Sequence, residues 1–376
     1  MTSTMTAGEA MVHAAETWLA SLSQQQRGVG WFRPDDVLTD GERLSWFYTP
    51  TDHGGLTLHQ QQPAQQSLAM QLVAAGLSRA GYATVAMIMG LENVLDLVEG
   101  FAVTWGRERG RDPGLFFVRV FGDPTGGGLW GWRFAGHHVS LNYTLMGSTV
   151  LSTTPSFLGA DPARVDLAAG GDLRLLGGHE DAARALLAAL DEGQLARAVI
   201  HDRAISDIVS GNRPRVGAGD EMMHMQDLWR GAFSDPELVA RVEEIDRRAE
   251  AGTQYGPADH RLLALPSAPI GVAATELDVP QRGLLATVIA GFDARNPADL
   301  TRSGADAADL LDGISFSWAG GLAPGDPHYF RLHGADLLIE YDNTQRDGNH
   351  VHSVLRELSR DFGLDPLRQH RAEAHR

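Results

Sequence analysis

Apolar residues along this chain follow two periods, and the order in which those periods alternate predicts an α+β fold. Met11, Ala14, Ala15, Trp18, Leu19 and Leu22 recur at helical spacing, which predicts a helix over residues 8–25. The spacing returns over 65–77 and 82–99, with Gly81 as a stop signal between the two. Alternation then takes over. A strand over 115–121, a Gly/Pro turn over 122–128 and a long strand over 129–145 predict a β-hairpin. Pro155 and Pro162 mark 151–165 as a loop. Helical spacing resumes over 181–190, 194–208, 221–233 and 235–248, before a Pro- and Gly-bearing linker over 253–270 and a helix over 279–293. The chain returns to strands over 314–318, 328–333, 336–342 and 349–355, with turns over 320–327 and 343–348.

Two pairs of segments look alike. Gln66–Ser78 resembles Gln281–Asp293, and Trp132–Tyr143 resembles Phe330–Tyr341, with the helix before the hairpin in both cases. The pattern predicts a duplicated helix-plus-antiparallel-sheet unit with a helical insertion between the copies. Its expected parts are an N-terminal helix (1–26), a first half (27–150), a mostly helical insertion (151–270) and a second half (271–376), all packed as one body. In this alignment His138 matches Asp336 and Asn142 matches Glu340, so polar residues occupy equivalent strand positions facing one cleft.

Composition narrows the chemistry. The 376 residues are 43% hydrophobic and 21% charged, enough for a substantial core. The formal net charge of −17 and the absence of a basic stripe exclude a general nucleic-acid partner. No cysteine is present, which removes thiolate nucleophiles, disulfides and Cys-ligated metals. No lysine is present either, which removes Schiff-base chemistry and a phosphate-loop lysine. Richness in Ala, Gly, Arg and Asp looks like a high-GC bacterial composition. The N-terminal stretch lacks a basic region followed by an unbroken apolar run, and no run approaches the roughly 18 apolar residues that a bilayer span needs. A cytoplasmic location without membrane contact is the expectation.

The segment from Leu338 to Ser353 carries the sharpest chemistry. Side chains alternate along strands, so Glu340 and Asp342 share one face, as do His350 and His352 on the next strand. A hairpin centred near Arg346 would set Asp342 opposite His350 and Glu340 opposite His352, with Cβ atoms about 4.5–5.5 Å apart. Two imidazoles and a carboxylate at that distance suit a divalent transition metal, whether iron, zinc or manganese.

A second cluster runs from Trp130 to Tyr143. Ala135, Val139, Leu141 and Leu145 look core-facing, and His138, Ser140, Asn142 and Thr144 form the polar alternation. His138 is therefore expected at the site and His137 beside it. Arg133 is a candidate anion holder, because a guanidinium grips a carboxylate as a fork. His53, His59, His179, His201, His224, His260 and His333 lack a supporting pattern, and His224, among Met222, Met223 and Met225, fits a packed helix better than a ligand role. No Gly-x-Ser-x-Gly elbow supports a serine nucleophile.

These segments carry a resemblance. Gly55-Leu-Thr-Leu58, the stretch from Leu72 to Tyr82, Phe121-Gly-Asp-Pro124, Trp130-Gly-Trp-Arg-Phe-Ala-Gly-His-His138, Pro155-Ser-Phe-Leu-Gly159, Ile339-Glu-Tyr-Asp-Asn343 and Asn349-His-Val-His352 resemble the bacterial and fungal family DUF3500, over about residues 27–370. The resemblance implies that the histidine segments belong to a recurrent pattern. It carries no activity and no catalytic roles.

The expected function is a metal-dependent enzyme acting on a small anionic organic molecule. His138, Glu340, His350 and His352 would bind the ion. Asp342 or His137 would serve as acid–base partner, and Arg133, Trp132 and Arg356 would hold the substrate. A ligand set of two histidines and a carboxylate tilts the expectation toward oxidative chemistry. Two other readings stand beside it: a metal-free acid–base enzyme using the same His/Glu cluster, and a non-catalytic binding module lined by Trp130, Trp132 and Trp318. A homo-oligomer is compatible with the sequence.

Overall fold

The computed structural model describes residues 5–33, 40–231, 233, 235–302 and 310–364. Among these, helices α1 (Ala7–Ser21), α2 (Gln24–Gly30), α3 (Gly41–Leu44), α4 (Pro63–Gly76) and α5 (Arg79–Val98) precede most of the strands. Strands β1 (Trp31–Phe32) and β2 (Leu56–Thr57) are short. Strands β3 (Phe117–Gly122), β4 (Leu129–Gly136), β5 (Val139–Met146), β6 (Thr149–Ser152) and β7 (Ser156–Ala160) follow, with a separate small hairpin of β8 (Val165–Leu167) and β9 (Gly171–Leu173). Then come α6 (Gly177–Ala189), α7 (Glu192–Ala198), β10 (Val199–His201), α8 (Pro236–Thr253), α9 (Pro257–Leu263), β11 (Val272–Ala273) and α10 (Val279–Asp293). Strands β12 (Ser315–Gly320), β13 (His328–His333), β14 (Leu337–Thr344) and β15 (His350–Glu357) complete the sheet.

The sheet runs β1-β3-β4-β5-β7-β15-β14-β13-β12-β10, an order that reads alike from either edge. Both edge strands pair in parallel, β1 with β3 and β10 with β12, and β2 and β11 pair antiparallel at corresponding places. The central β7–β15 pair is antiparallel, as a pseudo-twofold relation requires. Side chains repeat as well. Gln26 and Gln65 exchange amide hydrogen bonds at 2.9 and 3.0 Å, and Gln194 and Gln281 do the same at 3.0 and 2.7 Å. Each pair locks the start of a long helix (α4 or α10) to a short one (α2 or α7), where the glutamine also closes a capping box.

This topology moves the boundaries expected from sequence. Residues 177–201 belong to the second unit, β7 belongs to the first, and the extra segment lies inside the second unit between β10 and β11. The expected 151–165 loop holds the end of β6, all of β7 and the first residue of β8. The expected helix over 194–208 stops at Ala198 because the chain joins the sheet edge, and 221–233 holds one 3₁₀ turn at Met225–Leu228. The expected linker over 253–270 contains α9.

Alternation decides which residues meet which layer. Trp132, Phe134, Leu141, Tyr143, Ile339 and Tyr341 enter the main core with buried residues of α1, α4, α5, α6 and α10. Trp132 stacks on Tyr143 at 4.2 Å, and Gly76 lets α4 approach, since a Cβ there would lie 2.7–2.9 Å from those two rings. Helix α5 is long and apolar enough, by length and composition, to cross a membrane, contrary to the expectation from sequence, with 44% of the tested window buried. Its buried positions (Val85, Ile88, Leu91 and Leu95 among them) recur at helical spacing, and Val85, Ile88 and Leu91 join the main core. The opposite sheet face carries Arg133, Asn142, Glu340, Asp342 and His352, and is covered by residues of the 40–55 and 202–265 segments.

Gly55 (φ +114°) and Gly271 (φ +110°) occupy matching places before β2 and β11, and a Cβ on either would strike the backbone of the facing strand at Val118 or Phe316. Alanine at either position is expected to cost about 1–3 kcal/mol, because strained φ and backbone overlap act together. Urea denaturation midpoints check this, and an unchanged midpoint for both variants would contradict it.

Candidate metal centre

The β4–β5 connection is the first structural reason a site exists. The expected long strand breaks at Gly136, and His137-His138 form a two-residue turn in which His138 has φ +64°. Glycine usually takes that conformation, and histidine is among the residues that tolerate it. The turn is held by His138 N–H donating to the Tyr48 carbonyl (3.0 Å) and Gly159 N–H donating to the His138 carbonyl (2.8 Å). Beside it, β15 brings His350 and His352 on one strand face, and a Cβ on Gly159 would lie 2.9 Å from the His138 ring.

The three rings converge. His138 Nε2 lies 2.9 Å from His350 Nε2 and 3.3 Å from His352 Nε2, and one ring nitrogen from each histidine lies within 4.8 Å of the others. Nitrogens bound to one tetrahedral ion at about 2.0–2.1 Å sit about 3.3 Å apart. Burial first, then the neighbouring histidines, holds His138 and His350 well below the ordinary histidine range, so both are neutral imidazoles, the form that binds metals.

Carboxylates lie behind the rings. Asp207 Oδ1 lies 2.7 Å from His352 Nδ1, while its Oδ2 accepts from the Tyr48 hydroxyl at 3.1 Å. Asp161 Oδ2 lies 3.8 Å from His350 Nδ1, beyond hydrogen-bond reach, and forms an ion pair with Arg346 Nε at 3.0 Å. His137 stacks on His138 at 3.7 Å and meets Glu92 Oε1 through Nδ1 at 2.6 Å. Burial pushes Glu92 up to about 8 and His137 well down, so this pair is uncharged at neutral pH. Metal-binding histidines usually engage a carboxylate or carbonyl through the second nitrogen, and losing such a partner costs about 10–100-fold in affinity. Asp207→Asn is therefore expected to weaken metal binding by that order with the melting temperature of the metal-free protein little changed. Competition with a chromogenic chelator measures it, and unchanged affinity would remove Asp207 from the role.

Two connected spaces open onto the cluster. An inner chamber of about 70 Å³ is lined by His138, His350 and His352 together with Tyr48, Met222, Met223, Met225 and Leu228. An outer cleft of about 760 Å³ shares His137 and His350 with it and runs past Asp161, Glu99, Arg111 and Trp105 under α8.

Several residues expected at the site lie elsewhere. Arg346, Asp347 and Gly348 all have positive φ, so the β14–β15 loop turns later than expected and Asp342 pairs with His352 while Glu340 pairs with Val354. Glu340 is fully buried in a structural network. It accepts from Val209 N–H (2.8 Å), Ser210 N–H (3.0 Å) and the Tyr329 hydroxyl (2.6 Å), and so is not a ligand. Asp342 lies opposite His352 but makes its hydrogen bonds to Thr344. Thr344 Oγ1 lies 2.6 Å from both Asp342 Oδ2 and the Ile205 carbonyl, and burial, then the charge of Asp207, pushes the Asp342 carboxyl well above the usual carboxylate range. Arg133 is buried against Glu42 and the carbonyls of Glu42, Ser45 and His53, leaving no fork for a substrate. Trp132 lies in the helix-side core, and Arg356 pairs with Asp361 at 2.7 Å and the Pro214 carbonyl.

Glu92, Asp161 and Asp207 were absent from the sequence expectation. Glu92 and Asp96 carried a signal, since they are acids on the apolar stripe of α5. Asp161 was hidden by reading β7 as loop, and Asp207 by reading its segment as helix.

No curated protein and no solved structure matches the chain. The family model for DUF3500, described as a protein of unknown function, matches residues 4–364, and the chain accordingly belongs to that family.

Proposed function

We propose that the chain is a metal-dependent enzyme acting on a small organic molecule, with His138, His350 and His352 holding one divalent transition ion. The observation that carries the reading is the convergence of three imidazoles, two buried and His350 partly buried, with the Nε2 atoms of His350 and His352 at 2.9 and 3.3 Å from that of His138. Three imidazoles with a fourth position open to a cavity are the donor set zinc uses for water activation, and they also suit copper, iron and nickel. With Glu340 engaged elsewhere, the carboxylate that favoured oxidative chemistry drops out. Lewis-acid chemistry, such as hydration or hydrolysis of a polar bond, becomes the better-supported class. The ion would polarise substrate or lower the pKa of a coordinated water, while Asp207 fixes the His352 tautomer. His137, next to the open side and backed by Glu92, is placed to hydrogen-bond a reacting group.

Elemental analysis of the purified chain tests this. One equivalent of a transition metal per chain is expected, present on isolation or restored from the apoprotein. Less than about a tenth of an equivalent after reconstitution with zinc, copper, iron, nickel and manganese in turn would sink the proposal.

A further inference from the structure

The outer cleft has four interlinked charges beside the histidines. Arg111 grips Glu99 through Nε (2.7 Å) and Nη2 (2.9 Å), Arg346 bridges to the same carboxylate (2.9 Å), and its Nε reaches Asp161 Oδ2 (3.0 Å). Each guanidinium here is already met by an acid, so this part of the cleft has no spare cation for an anionic substrate. It does have unused hydrogen-bonding capacity. Asp161 is 3% exposed, yet its Oδ1 has no protein partner, and Trp105 is 7% exposed with an unpartnered indole N–H. Both residues line the cleft, Asp161 beside His350 and Trp105 farther out under Arg241. A buried carboxylate oxygen without a donor carries its desolvation penalty unrelieved, so the pairing that relieves it is expected from a ligand.

We propose that the end of the cleft beside the histidines selects an uncharged or cationic group with an O–H or N–H donor next to the atom that meets the metal, the donor going to Asp161 Oδ1, and that an acceptor farther out, where Arg241 also lines the cleft, meets the Trp105 N–H. Hydroxylated and amide-bearing compounds have this pattern, whereas simple carboxylates lack it. The inference rests on the proposed metal-enzyme reading, and it replaces the anionic substrate expected from sequence. Asp161 is then a specificity-determining residue and Arg346 its positioning partner.

Matched probes separate donor recognition from metal binding. Imidazole and 1-methylimidazole both ligate through an unsubstituted nitrogen, but only imidazole has an N–H, and 3-hydroxypyridine and 3-methoxypyridine form a second such pair. Titrated into cobalt(II)-loaded protein and followed by visible absorption, the donor-bearing member of at least one pair is expected to bind at least fivefold tighter. In Asp161→Ala, which removes both acceptor oxygens, that preference should collapse while cobalt affinity stays within about threefold. Trp105→Phe should weaken 3-hydroxypyridine and leave cobalt binding unchanged. Equal affinities within both pairs, or a preference that survives in Asp161→Ala, would overturn the inference. So would loss of cobalt by Asp161→Ala, which would make Asp161 a support for His350 alone. If wild-type protein takes up no cobalt, the metal reading fails separately. The same pairs, followed by thermal shift on the metal-free protein, then decide the donor preference.

Discussion

A His350→Ala/His352→Ala double variant is expected to hold less than about a tenth of an equivalent of metal under conditions where the wild type holds one. Only His138 would remain of three donors, and a single imidazole does not retain a divalent ion against a chelator. The second expected effect is on stability. An ion at a thousandfold its dissociation constant stabilises a folded chain by about 4 kcal/mol, and the double variant should gain nothing from added metal. Metal-free wild type should melt no higher than the metal-free variant, because its rings crowd nitrogens 2.9 and 3.3 Å apart without an ion between them. Paired melting curves with and without metal give both readouts. A variant that keeps full stoichiometry would place the ion elsewhere.

Glu340→Ala should produce the opposite pattern, a large loss of stability with metal binding kept in the folded fraction. The carboxylate satisfies two backbone N–H groups of the 205–211 segment and the Tyr329 hydroxyl, which in turn accepts from Arg331 Nε at 2.7 Å. Removing it leaves a fully buried guanidinium without its nearby counter-charge and strands the three donors, which costs about 3–5 kcal/mol. Glu340→Gln retains an acceptor for Tyr329 and should cost less than Glu340→Ala. Chemical denaturation with metal quantification on the folded protein distinguishes this from a ligand role. A Glu340→Ala chain that is stable but metal-free would restore Glu340 to the coordination shell.

The contrast between these two variants shows what the sequence could and could not carry. Strand alternation set His350 beside His352 on one face, because period-two patterning survives any register, whereas His138 meets them from a two-residue turn that alternation does not describe. Register itself was not legible. It depends on how many residues the β14–β15 loop spends in left-handed conformations, and Arg346 and Asp347 do so without being glycines. One step of error moved Glu340 from the cluster into a buried network. The repeat was visible in the amphipathic stretches, and the paired glutamines of α2 with α4 and of α7 with α10 give it atomic detail. Its limits were obscured because the second copy carries a long segment between β10 and β11. Arg133 looked like a ligand holder because a guanidinium grips a carboxylate as a fork, and Arg356 was expected to help hold the substrate. Both sit in tight protein-internal networks that only the three-dimensional covering of the sheet reveals.

The β7–β15 pair, where the two units meet, has a consequence for how the protein matures. His138 comes from one unit and His350 and His352 from the other, across sequence separations of 212 and 214 residues. Contacts that distant close late, after local helices and hairpins have formed. On the proposed metal reading, ion capture would be a late event in assembly, a seal applied once the halves have joined rather than a seed around which they gather. A polypeptide halted in translation before β15 would present only one of the three imidazoles, and so would not yet trap an ion.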